Sequence, residues 1–223
     1  CISCSRCIRF ADEVAEQPAL TFVQRGDHVT IRNFPGTTFD SKYSMNVIDI
    51  CPVGALTSMD FRFKARVWEM SFTDSVCPGC ARGCNVSIGV MDNEVLRAEP
   101  VTNMHVNTYW MCDPGRLMIP EIVNDNRITE PHVTSGGQLQ QASWDDAIAA
   151  AADALKNAKA SEVVILGSGR VSNEDNYALG KLAHGVVKTN NVDMIKHIDH
   201  DFGDEFLALN ETAANTIGAH EVG

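Results

Sequence analysis

Apolar and polar positions keep different rhythms along this chain. Over residues 61–67, FRFKARV, they alternate strictly. Phe61, Phe63, Ala65 and Val67 fall on one side and Arg62, Lys64 and Arg66 on the other. A period of two predicts a half-buried strand, its basic residues facing solvent or offsetting a nearby negative charge. In NVSIGVMDNEVLRAEP two apolar strands flank Met91-Asp92-Asn93-Glu94, and the Asp-Asn pair suits a tight turn, so a β-hairpin is expected. From Ser143 the rhythm becomes helical. Ser143 is a good N-cap with Asp146 completing a capping-box-like pair, and Trp144, Ala147, Ile148, Ala151 and Leu155 follow helical spacing to about Lys159. VVILGSG (163–169) reads as a buried strand ending in a glycine turn. SNEDNYALGKLAHGVV (172–187) reads as a second helix behind the N-cap Ser172, and VDMIKHID as the next strand. Helix, strand, helix, strand predicts the start of an α/β layer with a parallel sheet. Upstream, residues 1–68 are loop-like at their centre, around Gly26, Pro35, Gly36 and TTFDSKYS.

Composition narrows the class. The chain has 223 residues, 44% apolar and 21% charged, which is globular composition with enough length to bury a core. Its net charge of −11 argues against a nucleic-acid partner, which calls for a basic face. The longest apolar-looking run, Ala147–Leu155, is interrupted by Asp153, far short of the roughly 18 apolar residues of a membrane span. Neither a signal peptide nor a methionine precedes Cys1, and the chain stops in TIGAHEVG, so a piece of a longer protein is expected.

The cysteines change the picture most. There are eight, and they fall into two sets of the same form. Cys1, Cys4, Cys7 and Cys51 follow C-x2-C-x2-C-x43-C; Cys77, Cys80, Cys84 and Cys112 follow C-x2-C-x3-C-x27-C. Four disulfides are one reading, but bunched triads are better placed to share a metal centre than to find separate partners. Structural zinc sites more often arrive as two distant pairs. A [4Fe–4S] cubane has four iron corners, each wanting a thiolate. A short loop wraps three of them, and the fourth must be met by another segment. Three plus one, twice over, therefore predicts two [4Fe–4S] clusters. With cysteine at every corner no iron is left open for substrate, which favours electron transfer over Lewis-acid chemistry. Gly79, Gly83 and Gly115 beside the second set allow tight turns and let backbone N–H groups approach sulfur.

With these motifs placed, the chain resembles the large iron–sulfur subunit of bacterial NADH:quinone oxidoreductase, respiratory complex I. The matching stretches are CISCSRCIRFADEVA, RGDHVTI, NVIDICPVGALTS, FRFKARVWEM, CPGCARGCNVSIGV and VNTYWMCDPGR, dense over about residues 1–120 and looser over 140–223. The resemblance implies a mixed α+β and α/β chain in three parts. These are a [4Fe-4S] cluster module (1–69), a small β-rich 4Fe-4S Mo/W bis-MGD-type module (70–126), and the start of a molybdopterin-oxidoreductase-like α/β domain (127–223). It implies a subunit of a proton-translocating NADH dehydrogenase with no complete active site on this chain. The first cluster would lie on the wire from flavin to quinone and the second off it. FMN and NADH would sit on a partner flavoprotein subunit of the peripheral arm, and quinone at a further subunit. No molybdopterin, direct membrane insertion or nucleic acid is implied. The place would be peripheral, on the cytoplasmic side of the bacterial inner membrane. The family's upstream [2Fe–2S] domain and histidine-ligated cluster have no matching residues, and His28 and His105 are expected to be surface or structural residues.

Molybdenum and tungsten enzymes, such as NAD-linked formate dehydrogenases, share the second cysteine pattern. In many of them x-Lys-Gly follows the fourth cysteine, the lysine bridging cluster and pterin. Here the run is Cys112-Asp113-Pro114-Gly115, with proline in the lysine's place. Gly167-Ser168-Gly169 lacks the full phosphate-binding pattern, because position 172 is Ser, and is read as a plain strand-to-helix turn. A third reading is a cysteine–metal module that only scaffolds a complex and never changes oxidation state.

Overall fold

The computed structural model describes residues 1–80, 82–124 and 127–195, which mix helices and sheets. They fall into two compact units, one of Cys1–Gly79 with Cys84–Asn124, the other of Cys80–Gly83 with the chain after Asn124.

The first unit opens with helix α1 (Arg6–Glu13), which buries Cys7, Phe10 and Ala11, the i, i+3, i+4 face of an amphipathic helix. A short antiparallel hairpin follows, β1 (Leu20–Val23) against β2 (Thr30–Asn33). One four-residue helix, α2 (Asn46–Asp49), precedes Cys51. A three-stranded antiparallel meander then runs β3 (Ser71–Val76), β4 (Asn85–Met91), β5 (Glu94–Pro100). The expected hairpin is β4–β5, and its turn residues Asp92 and Asn93 both take positive φ, 52° and 63°. That left-handed pair matches the twist of the flanking strands. Helix α3 (Asp113–Asn124) packs on β5, and the Asn124 side chain fastens its end by accepting from Val95 N and donating to Val95 O.

Residues 61–67 are not the strand their alternation predicts. Arg62 N donates to Ser58 O and Lys64 N to Phe61 O, so the stretch coils into turns, and Phe63 stands 91% exposed at φ 68°. Period two marks a strand only when a partner strand accepts it. Here the rings are occupied by cations instead, Arg97 lying 4.7 Å from the centroid of Phe61 and Arg62 4.7 Å from that of Phe63. The three basic residues do face solvent.

The second unit holds the hairpin β6 (His132–Ser135) and β7 (Gln138–Gln141), then α4 (Trp144–Asn157). Ser143 caps α4 as expected, accepting from Asp146 N at 3.1 Å. Of the predicted apolar face, Trp144 and Ile148 are exposed. Strand β8 (Ile165–Ser168) pairs in parallel with β9 (Val192–Ile195), and α5 (Asn173–Lys181) lies between them in sequence. It continues as a π-helical turn over Leu182–Val187. Val163, Ile165 and Ala183 form the core here, with Leu155, Leu179 and Val192 against it. The strand expected to be wholly buried is buried on alternate residues only, since Val164 and Leu166 are exposed. The glycine turn after β8 is closed by Asn176, whose side chain accepts from Ser168 N and donates to Ser168 O. Residues 196–199 of the last predicted strand lie outside the described residues.

Candidate metal centres

Cys1, Cys4, Cys7 and Cys51 line one cavity of about 100 Å³, together with Arg6, Thr30, Ile31, Pro52 and Leu56. The local chain explains how. Ser3 and Ser5 take positive φ, 54° and 61°, curling the loop so that Ser3 N meets Cys1 Sγ at 3.4 Å. Cys7 then sits in the first turn of α1, its thiol pushed up by burial, against its own and Ile8's backbone N–H, and further by the neighbouring Cys4 and Cys51. Cys51 arrives from the far side of a 43-residue loop. Burial pushes its thiol up too, but the backbone N–H groups of Val53, Leu56, Ala55 and Gly54 outweigh that and bring it below the ordinary thiol range.

Three of the second set lie in the first unit. Cys77 N donates to Cys84 O at 2.8 Å, closing the loop at the ends of β3 and β4, and both cysteines are buried. Cys112 precedes α3, where Gly115 N approaches Cys112 Sγ at 3.4 Å. A Cβ on Gly115 would stand 3.1 Å from Cys77 Sγ and 3.2 Å from Cys112 Sγ, so these two sulfurs flank one glycine. Cys80 belongs to the second unit, where burial pushes its thiol up while the backbone N–H of Arg82 and the charge of Arg170 pull against it.

Among the described residues no three His, Cys, Asp or Glu side chains close on a point that one metal ion could occupy. A cubane asks for something else: thiolates standing apart around a cavity, one per corner. The soft, all-thiol donor set around the first cavity fits that group. His28 and His105 are exposed, as expected.

Polar residues that sequence reasoning passed over join the segments leading to Cys51 and Cys112. Asn46 donates to Met111 O at 2.8 Å and accepts from Met111 N at 3.2 Å. Asp113 accepts from Ser44 Oγ at 2.6 Å and Met45 N at 3.0 Å, and its own N donates to Lys42 O. Arg116 forks onto Asp49, at 3.1 and 2.6 Å, and also donates to Ala98 O. Partners up to 69 residues apart leave no local signature. The one available hint is that Asn46, Asp49, Asp113 and Arg116 stand within five residues of a fourth cysteine.

Three families match the chain in order. Residues 1–57 match the NADH-quinone oxidoreductase subunit 3 ferredoxin-like domain. Residues 70–125 match the molybdopterin oxidoreductase Fe4S4 domain, and 127–218 match molybdopterin oxidoreductase. Two of these are iron–sulfur domains. Among curated relatives, the G subunit of the NADH-quinone oxidoreductase of Streptomyces coelicolor is 35% identical over 93% of this chain and 25% of its own length. The G subunit of Rickettsia bellii is 39% identical over 73% of this chain and 24% of its own, and that of Mycobacterium tuberculosis 37% over 86% and 24%. The chain thus spans about a quarter of the length of the relatives it matches.

Proposed function

The chain is homologous to the G subunit of NADH-quinone oxidoreductase over most of its own length, and on that premise we propose that it relays electrons within such a complex. In this reading Cys1, Cys4, Cys7 and Cys51 hold one [4Fe–4S] cluster, and Cys77, Cys80, Cys84 and Cys112 a second. Bound there, such clusters take up and release single electrons without exchanging ligands. The chain's own part is to supply every corner, to bury Cys7, Cys77 and Cys84, and to aim backbone N–H groups at Cys51 and Cys112. Hydrogen bonds to sulfur favour the more negative, reduced state and so set the potential.

The observation that carries this reading is the single cavity lined by all four cysteines of the first set, 43 residues of chain apart. Electrons would come from NADH through FMN on a partner flavoprotein subunit and leave toward a quinone-site subunit of the peripheral arm. Among the described residues no helix is long and apolar enough to cross a membrane. The likeness to the G subunits supports a peripheral place in such a complex, and the cytoplasmic side of the bacterial inner membrane is proposed for it. Molybdopterin forms no part of the reading, because Pro114, in the first turn of α3, has neither a charged side chain nor an N–H to offer a pterin.

Protein reconstituted anaerobically should hold about eight iron and eight sulfide, four of each per cubane. After dithionite reduction, two EPR signals of S = 1/2 type are expected. One zinc per set with no sulfide overturns the cluster assignment. Clusters that stay EPR-silent support the scaffold instead, and molybdenum or tungsten in protein from its native source supports a pterin enzyme.

A further inference from the structure

Helix α2 has a single turn. Nucleating a turn fixes several residues for one hydrogen bond, so four residues do not hold this shape in water unaided. Yet α2 sets the direction from which the chain reaches Cys51, two residues past Asp49. Its support comes from the segment around Cys112. Asn46, with no exposed surface, reads the backbone of Met111 in both directions, much as a neighbouring strand would. Asp49 receives both arms of Arg116, whose side chain is only 7% exposed and lies one helical turn beyond Cys112. Asp113, the residue after Cys112, gathers Ser44 and Met45. Stretches 42–49 and 111–116 are thereby fastened at three successive points, and each carries at its end the distant cysteine of one set.

We propose that Asn46, Asp49 and Arg116 are positioning residues that seat Cys51 against the segment carrying Cys112, so that the two cluster sites share one support. This rests on the cluster assignment proposed above. The fork matters because the Arg116 guanidinium is buried, and Asp49 brings it a matching charge from the rim. Without Asp49 the buried Arg116 loses both of its bidentate hydrogen bonds, and without Arg116 the fork no longer holds Asp49, and α2 with it, against the Cys112 segment. Coupling of this kind is reciprocal: whatever loosens the Cys112 segment loosens Cys51, and the reverse. An ordinary structural tie makes a different prediction. It lowers the stability of the whole unit without singling out the first cluster. Asn124 supplies that comparison, since it fastens the opposite end of α3 to Val95 and touches neither ligand segment.

The test uses the full-length protein, in its complex, with Asp49→Asn, Arg116→Lys, the double variant and Asn124→Ala. Three quantities are read: the EPR line shape of the first cluster, the rate at which a chelator strips its iron, and the melting temperature. Asp49→Asn and Arg116→Lys should broaden the first signal and speed its iron loss about 10–100-fold, the range seen when partners behind a metal ligand are removed. The double variant should be little worse than either single one. Asn124→Ala should lower the melting temperature and leave the first signal unchanged. The proposal is overturned alone if wild type carries both clusters and the Asp49 and Arg116 variants move the first cluster no more than Asn124→Ala does at equal thermal loss. Wild type without iron and sulfide removes the cluster assignment, and this inference with it.

Discussion

Gly115 stands so close to two of the proposed ligand sulfurs that a Cβ there would crowd both. Gly115→Ala should displace Cys77 or Cys112 by several tenths of an ångström. The expected outcome is loss of the second cluster, with iron content falling by about half while the first EPR signal persists. A second prediction concerns Glu99. Burial, aided by the Asp49 charge, holds its carboxyl above the usual range despite the Arg97 guanidinium 3.0 Å away. A carboxyl with a higher pKa folded than unfolded binds its proton more tightly in the fold. Stability therefore rises as pH falls from neutral through the folded value, and levels off below the unfolded one. Glu99→Gln should raise the melting temperature at neutral pH, and its advantage over wild type should vanish as pH falls toward the ordinary glutamate range. At this scale the thiols are legible in the sequence because a triad is a local pattern. Asn46, Asp49 and Arg116 are not, because each acquires meaning only from a partner more than 60 residues away.

Among elements, those encoded by near neighbours are the ones a sequence reveals. The β4–β5 turn needs two residues that tolerate positive φ, and Asp92-Asn93 supplies them side by side. Asn93→Val should cost about 1–2 kcal/mol, the strain of a branched residue in the left-handed region, read as a fall in melting temperature. The Ser143 and Ser172 caps are equally local, and both stand where expected. Residues 61–67 show the opposite case. Their alternation is real, but strand formation is decided by hydrogen-bond partners elsewhere. The β3–β4–β5 meander takes no fourth strand, so the stretch coils and its aromatic rings pair with arginines. Likewise the spacing of Trp144 and Ile148 foretells a helix but not what covers its apolar side.

At the scale of the whole molecule the proposed clusters would make the two units depend on metal to different degrees. The second has an apolar core of Val163, Ile165 and Ala183 that involves no cysteine. The first carries its α1 and α2 segments on the proposed ligand cysteines and on polar ties around long loops. Iron chelation should therefore collapse amide-exchange protection in residues 1–60 while β8 and β9 keep theirs. Equal loss in both would show that the second unit too is held by metal.

The cradle around Cys51 bears on how such a protein tolerates change over generations. All four donors are main-chain groups, so side-chain changes at 53, 55 and 56 that keep the backbone path leave the electrical surroundings of the sulfur in place, while Gly54, at φ 61°, is held to glycine by its left-handed conformation. At 53, 55 and 56 proline does particular harm, because it erases an N–H. Ala55→Ser should leave the midpoint potential of the first cluster where it was, whereas Ala55→Pro should lower it. A comparison of relatives would see the glycine at 54 and little else there, because what selection preserves at the other three is a backbone path that side-chain identity does not record.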